Sequence, residues 1–289
     1  MSKTKGVAAL IATTVLWGTS FPAIKVVVSS ISEYTYVWTR SLIALILLLP
    51  YVIYTRKNQG ISRQSIRGGL LAGIAYAIGL WLQGWGTRYT TASNSAFITG
   101  LNAVFVHIYT AVVLRKYSIE LSVSLLLAIT GLYLLTAPAG GFGIGDALVL
   151  LGAIAWAAQV IIVDRFSETD PIVFTFFEMI PALAFFVPSM LVGGGMEGID
   201  MTILMLIFYL SIMCSDGAFI LQVYGQRFVS PAATAIIFLF EPVAAAIFAY
   251  IFLFEKLTVT QIIGAAMIVT SMGISSLYGG SFKEKETML

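Results

Sequence analysis

Gln83–Tyr89 reads QGWGTRY, and 139 positions further on Gln222–Phe228 reads QVYGQRF. Gln, Gly, Arg and a closing aromatic stand at the same places in both windows. The same offset lays Trp17 over Trp156 and Asn102 over Glu241. The register drifts by about three residues after the fourth span. This pattern marks a duplicated chain, with residues 1–139 as the first copy and residues 140–289 as the second.

Composition fixes the solvent of both copies. Of 289 residues, 59% are hydrophobic and only 10% are charged, against about 25% charged in soluble domains. Mean hydropathy is +0.95. Such a chain has too little polar surface to face water all round, so its partner is a lipid bilayer. Apolar runs long enough to cross a bilayer recur from end to end, and the alternating short strands of a membrane barrel are not seen. Helices are therefore expected at roughly 6–28, 34–55, 68–87, 92–114, 119–137, 145–164, 171–192, 201–225, 231–254 and 258–279. Pro171 and Pro231 open two of them, where a missing N–H costs nothing. Gly140, Gly141, Gly143 and Gly145 mark a loop between the copies, and Gly193–Gly195 another after the seventh span. The N-terminal MSKTKG and the run behind it read as an uncleaved first helix.

Five spans per copy is an odd number, so the second copy must enter the membrane upside down. The predicted fold is an all-α integral membrane protein of ten transmembrane helices in two inverted five-helix repeats. Inverted repeats are the architecture of alternating access, with a site near midplane between the halves. Duplication kept for packing alone is the competing explanation. With the N-terminus in the cytoplasm, twelve loop and terminal cations fall inside: Lys3, Lys5, Arg56, Lys57, Arg63, Arg67, Arg115, Lys116, Arg165, Arg227, Lys283 and Lys285. Only Arg88 and Lys256 fall outside. By the positive-inside rule both termini are expected in the cytoplasm, in a multi-pass protein of the cell membrane.

Other classes find little support. A net charge of +2 is too small to suggest a nucleic-acid partner. One cysteine, Cys214, precludes an internal disulfide, and one histidine, His107, precludes a His-rich metal site within the chain. No cofactor or metal is expected. There is no GxxxxGK[ST] for an ATP-driven pump. Neither HExxH nor GxSxG is present, which weighs against an intramembrane enzyme. His107 is expected to be a simple hydrogen-bonding residue.

Helical faces at about 100° per residue give the candidate site. Tyr76, Leu80, Gln83 and Thr87 share one face of the third span. Ser215, Phe219, Gln222 and Gln226 share one of the eighth, and the two stripes superimpose under the repeat. Polar stripes in membrane helices face a cavity or bond to a neighbouring helix, and either suits Gln83 and Gln222. Trp17 and Trp156 lie deep in their spans, where an interface anchor would not. Ser20 and Gln159 stand one turn from them. Glu241 is mid-span ahead of Pro242, as a carrier of a proton or substrate or as a structural group beside a broken backbone. Asp216 is a second candidate for proton coupling. Pro22 and Pro242 are candidate hinges. Lys25 is read as reaching toward the outer interface. Arg40 either snorkels or pairs with Glu33 or Glu178.

LWGTSF (Leu16–Phe21), FEPVAAAIFAYIFLFEKLT (Phe240–Thr258) and the following QIIGAAMIVTSMGI together resemble the drug/metabolite transporter superfamily, in its ten-helix EamA-type branch. The resemblance runs over nearly the whole chain as two copies. The first departs in its last helices, where Asn102-Ala103 stands for Glu241-Pro242. It implies a central cavity lined by spans 1, 3, 4, 6, 8 and 9, with spans 5 and 10 as a packing or homodimerising pair. The expected site holds the aromatics Trp17, Tyr76, Phe97, Trp156 and Phe219, with Ser20, Gln83, Asn102, Gln159 and Gln222. That mix suits an amino acid or related metabolite, and the resemblance implies export. Few cations lie mid-membrane, which makes the sugar-phosphate and nucleotide-sugar relatives a weaker alternative.

Overall fold

The computed structural model describes residues 2–116, 118–136, 142–192, 199–244, 246–247 and 258–278, and every regular element among them is helical. Among the described residues nine helices are long and apolar enough to cross a membrane: Lys3–Ser30, Glu33–Asn58, Arg63–Tyr89, Asn94–Val113, Ile119–Thr136, Ile144–Phe166, Pro171–Leu191, Met201–Gln226 and Val259–Tyr278. A shorter apolar helix, Pro231–Ala244, stands where the ninth span is expected. Most of that span beyond Ala244 lies outside the described residues, as do Gly140, Gly141, Gly193–Gly195, Lys256, Lys283 and Lys285.

Helix starts are written locally. Ser32, Ser62, Thr91, Asp170, Asp200 and Ser230 each accept a hydrogen bond from a backbone N–H of the turn they open. These caps satisfy donors that lipid cannot. Thr91 and Ser230 are one repeat apart.

Among the described residues the first, fourth and ninth spans are interrupted by a turn, and the breaks in the first and ninth follow directly from proline. Proline has no N–H, so the carbonyl four residues earlier loses its helical partner. Pro22 removes the donor for Gly18, and the helix stops at Gly18 and restarts at Ser20. Pro242 does the same to Phe238, where the ninth span's first helix ends. The fourth span breaks at Leu101, between Ala92–Gly100 and Asn102–Ile108, without any proline. Leu101 and Leu239 both turn with tight three-residue hydrogen bonds, at 3.1 Å to Ile98 O and 3.1 Å to Ile236 O. The sixth span, which has Ile161 where the first has Pro22, is continuous.

Packing exchanges the two copies. The third span lies along the sixth, and the first along the eighth, which is the same contact with the copies swapped. At one crossing a Cβ on Gly86 would stand 2.5 Å from Gly145 O; at the other, one on Gly225 would stand 2.9 Å from Gly6 O. Gly6 and Gly145 are one repeat apart, and so are Gly86 and Gly225. Tyr76 and its repeat equivalent Ser215 touch each other at 3.3 Å, as residues on an exchange axis must. The fifth and tenth spans pack together in the same chain, with Gly131 against Gly264.

Paired arginines tie the loops down. Arg88 donates to Ile31 O and sits 3.6 Å from Glu33. Its equivalent Arg227 donates to Ser167 O at 3.0 Å and Thr169 O at 2.7 Å, and sits 3.7 Å from Glu168. Lys25 Nζ donates to the Thr87, Arg88 and Thr90 carbonyls, closing the C-terminus of the third span. Arg227→Ala should cost about 1.5–3 kcal/mol, the worth of hydrogen bonds to a charged donor. Unfolding in detergent checks it; an unchanged midpoint would remove the clamp.

Candidate functional site

One cavity opens where the two copies meet. The space between its walls amounts to about 530 Å³, part of it open to solvent. The first span brings Trp17, Ser20 and Ile24; the third, Leu80 and Gln83; the fourth, Thr99 and Asn102. The sixth brings Trp156, Gln159 and Val160; the eighth, Phe219; the ninth, Phe238 and Glu241. These are the six spans that the sequence resemblance implies, and the second span adds Arg40.

Most of the wall is paired by the repeat. Trp17 with Trp156, Ser20 with Gln159, Leu80 with Phe219, Thr99 with Phe238 and Asn102 with Glu241 each stand 139 positions apart. The first copy supplies the smaller member of four of these pairs. Asn102 and Glu241 each begin a helix just past the break in the fourth and ninth spans. The breaks are thus what turn these two polar groups toward the cavity, at backbone that a regular helix would have closed.

Aromatic walls surround a polar set. Trp17 meets Phe219 and Phe238 edge to face, at 5.1 and 5.0 Å between centroids, and its Nε1 donates to Cys214 O at 3.0 Å. Trp156 meets Phe219 at 6.1 Å and Tyr76 at 5.9 Å. Its Nε1 is buried with no hydrogen-bond partner, and so is Asn102 Oδ1. Gln83 donates to Thr99 Oγ1 at 3.1 Å. Behind the wall, Gln159 donates to Glu178 Oε1 at 2.6 Å and accepts from Gln222 at 2.9 Å. Gln222 in turn donates to Gln226 at 2.8 Å, and Gln226 to Val160 O at 2.8 Å. This chain of amides and one carboxyl ties the sixth, seventh and eighth spans together.

Three residues expected at the site do not border the cavity. Tyr76 and Gln222 share the predicted face but are wholly buried behind it. Phe97 turns instead toward Tyr133 of the fifth span, 6.2 Å away. Asp216 is buried nearby, in a widened π-helical stretch, Leu210–Gly217, and its Oδ1 has no partner. His107 is hydrogen-bonded to Ser122 at 2.9 Å.

Arg40 is the residue that sequence reading leaves undecided. It neither snorkels nor pairs with Glu33 or Glu178. It is 3% exposed, donates from Nη1 to Tyr36 Oη at 2.6 Å and from Nε to Ser215 Oγ at 2.7 Å. Ser211 Oγ holds its carbonyl at 2.9 Å. The wide turns of Leu210–Gly217 present Ser211 and Ser215 to it together.

Comparison with known proteins agrees with this architecture. The model of the EamA-like transporter family matches twice, over residues 4–137 and 143–277. An uncharacterized transporter of Archaeoglobus fulgidus is 28% identical over 264 residues, covering 91% of this chain and 82% of its own. A second from the same organism is 25% identical over 275 residues, covering 91% and 93%. One solved crystal structure superposes with a TM-score of 0.77 at 14% identity, over 96% of this chain and 98% of that one, a likeness of fold.

Proposed function

The chain belongs to the EamA-like transporter family, and on that premise we propose that it is a secondary transporter moving amino acids or related small metabolites out of the cell by alternating access. One observation carries the reading: the cavity sits at the contact of two exchanged copies, and its wall is built from repeat-related pairs. Exchanging the conformations of the copies would move the opening from one side to the other. The aromatic and amide lining suits a small compound with an apolar side chain and polar ends. A phosphate dianion fits less well, because Arg40 is the only cation among the described lining residues and Glu241 shares the wall. The Lys and Arg bias supports a cytoplasmic side for both termini.

Glu241 and Asp216 are the proposed proton-coupling groups. Glu241 is the stronger, since it borders the cavity itself. Glu241→Gln should abolish uptake driven by a pH gradient in proteoliposomes while sparing exchange of labelled for unlabelled substrate. Wild-type flux that is indifferent to an imposed pH gradient, with no proton movement, would end the coupling claim.

A further inference from the structure

We propose that Arg40 anchors a carboxylate of the transported compound, so that the substrate class is an organic acid or amino acid with an apolar remainder. This rests on the reading of the central cavity as the substrate path. Three observations carry it. Arg40 borders the cavity, yet lies deep in the bundle, 3% exposed. Its partners there, Tyr36 and Ser215, are neutral hydroxyls. Among the described residues it forms no ion pair, and its Nη2 donates to no protein acceptor.

The two arginines at span ends set the contrast. Arg88 and Arg227 each have a glutamate within 4 Å and main-chain carbonyls to bind, and each exists in both copies because each holds a loop. Arg40 has Met179 as its repeat equivalent, so a cation there is not part of the packing that the two copies share. A buried charge without a counter-ion is strongly unfavourable. Among the described residues neither Asp216, next to Ser215 in the chain and within electrostatic reach of Arg40, nor Glu241 on the wall forms an ion pair with it. A guanidinium held by Nε and Nη1 keeps Nη2 hydrogens for a ligand, in the planar geometry that carboxylates match. A bound carboxylate would complete the pair. The aromatic walls of Trp17, Trp156 and Phe219 would take the rest of the molecule.

Phenylalanine, phenylalaninamide, phenethylamine and phenylpropionate separate the groups. Binding to the purified full chain should be found for phenylalanine or phenylpropionate and be about 10- to 100-fold weaker for the amide and the amine. Arg40→Gln should weaken the acids by a similar factor and leave the amide and amine unchanged. Arg40→Lys, which keeps the charge but not the planar fork, should fall between. Should Arg40→Gln fail to fold, the ligand series on the wild type decides alone. Equal binding of acid and amide, or no binding by either acid, overturns the proposal. Counterflow of the bound acid in proteoliposomes is scored separately: binding without flux would count against the transporter reading and leave the carboxylate site standing.

Discussion

Valine at Gly86 should prevent the bundle from assembling, while valine at Gly273 should be silent. A Cβ on Gly86 would meet Gly145 O at 2.5 Å, Val149 Cγ2 at 2.6 Å and Val149 N at 2.9 Å. Two of those atoms are main chain of a packed helix, so no side-chain rotation relieves the overlap. The third and sixth spans would have to part, opening the largest interface between the copies and one wall of the cavity. Overpacking in a close-packed interior costs about 1–3 kcal/mol where neighbours can shift; here backbone must shift, and the loss should consume much of a marginal stability of about 5–15 kcal/mol. Gly225→Val, the repeat equivalent, should be milder. Its Cβ meets Leu10 Cγ at 2.6 Å before Gly6 O at 2.9 Å, and a leucine can move. Gly273 has nothing within 4 Å. Folded yield and thermal unfolding in detergent rank the three. A Gly86→Val protein as stable as the Gly273 variant would show that the crossing is not close-packed.

Those glycines explain how much of the fold can be read from sequence. Lipid demands long apolar helices, so the spans are visible as composition alone. The exchange of copies is visible because contacts between them are made by the same residues twice: Gly86 and Gly225 fall inside the QGWGTRY and QVYGQRF windows, and the arginines that end the third and eighth spans do as well. Proline marks the breaks in the first and ninth spans for a plain covalent reason. The break at Leu101 carries no such mark, since Asn102-Ala103 has a full set of N–H groups and the tight turn there is set by packing.

Side-chain depth is harder. Helical periodicity puts Tyr76 and Gln222 on the two predicted stripes, but both side chains are sealed inside the bundle, and of those stripes only Leu80, Gln83 and Phe219 reach the cavity. Arg40 and Lys25 show the limit for long side chains. Each can travel several ångströms from its Cα, so sequence fixes the helix and not the destination. Lys25 ends on the carbonyls of the third span. Arg40 turns inward because the π-helical stretch of the eighth span, which no residue pattern announces, presents two serines to it.

Trp156→Ala should weaken substrate binding about 30- to 1,000-fold, the effect of truncating a central aromatic contact by about 2–4 kcal/mol, with the fold intact. The two tryptophans are equivalent by repeat and unequal in bonding. Trp17 is held by Phe219, Phe238 and a hydrogen bond to Cys214 O, so its indole N–H is already used. Trp156 Nε1 is buried beside the cavity with no partner, and an unmet donor in that position is unfavourable until a ligand acceptor meets it. Phenylalanine substitution separates ring from donor. Trp156→Phe keeps an aromatic wall and should weaken binding about tenfold through the lost N–H. Trp17→Phe should leave affinity close to wild type and lower thermal stability, because the bond to Cys214 O is lost. Equilibrium binding of the tightest acid, read beside the unfolding midpoint of each variant, makes the comparison. If Trp17→Phe weakens binding and Trp156→Phe does not, the substrate's acceptor lies on the other side of the cavity, and the roles of the two halves are reversed in this conformation.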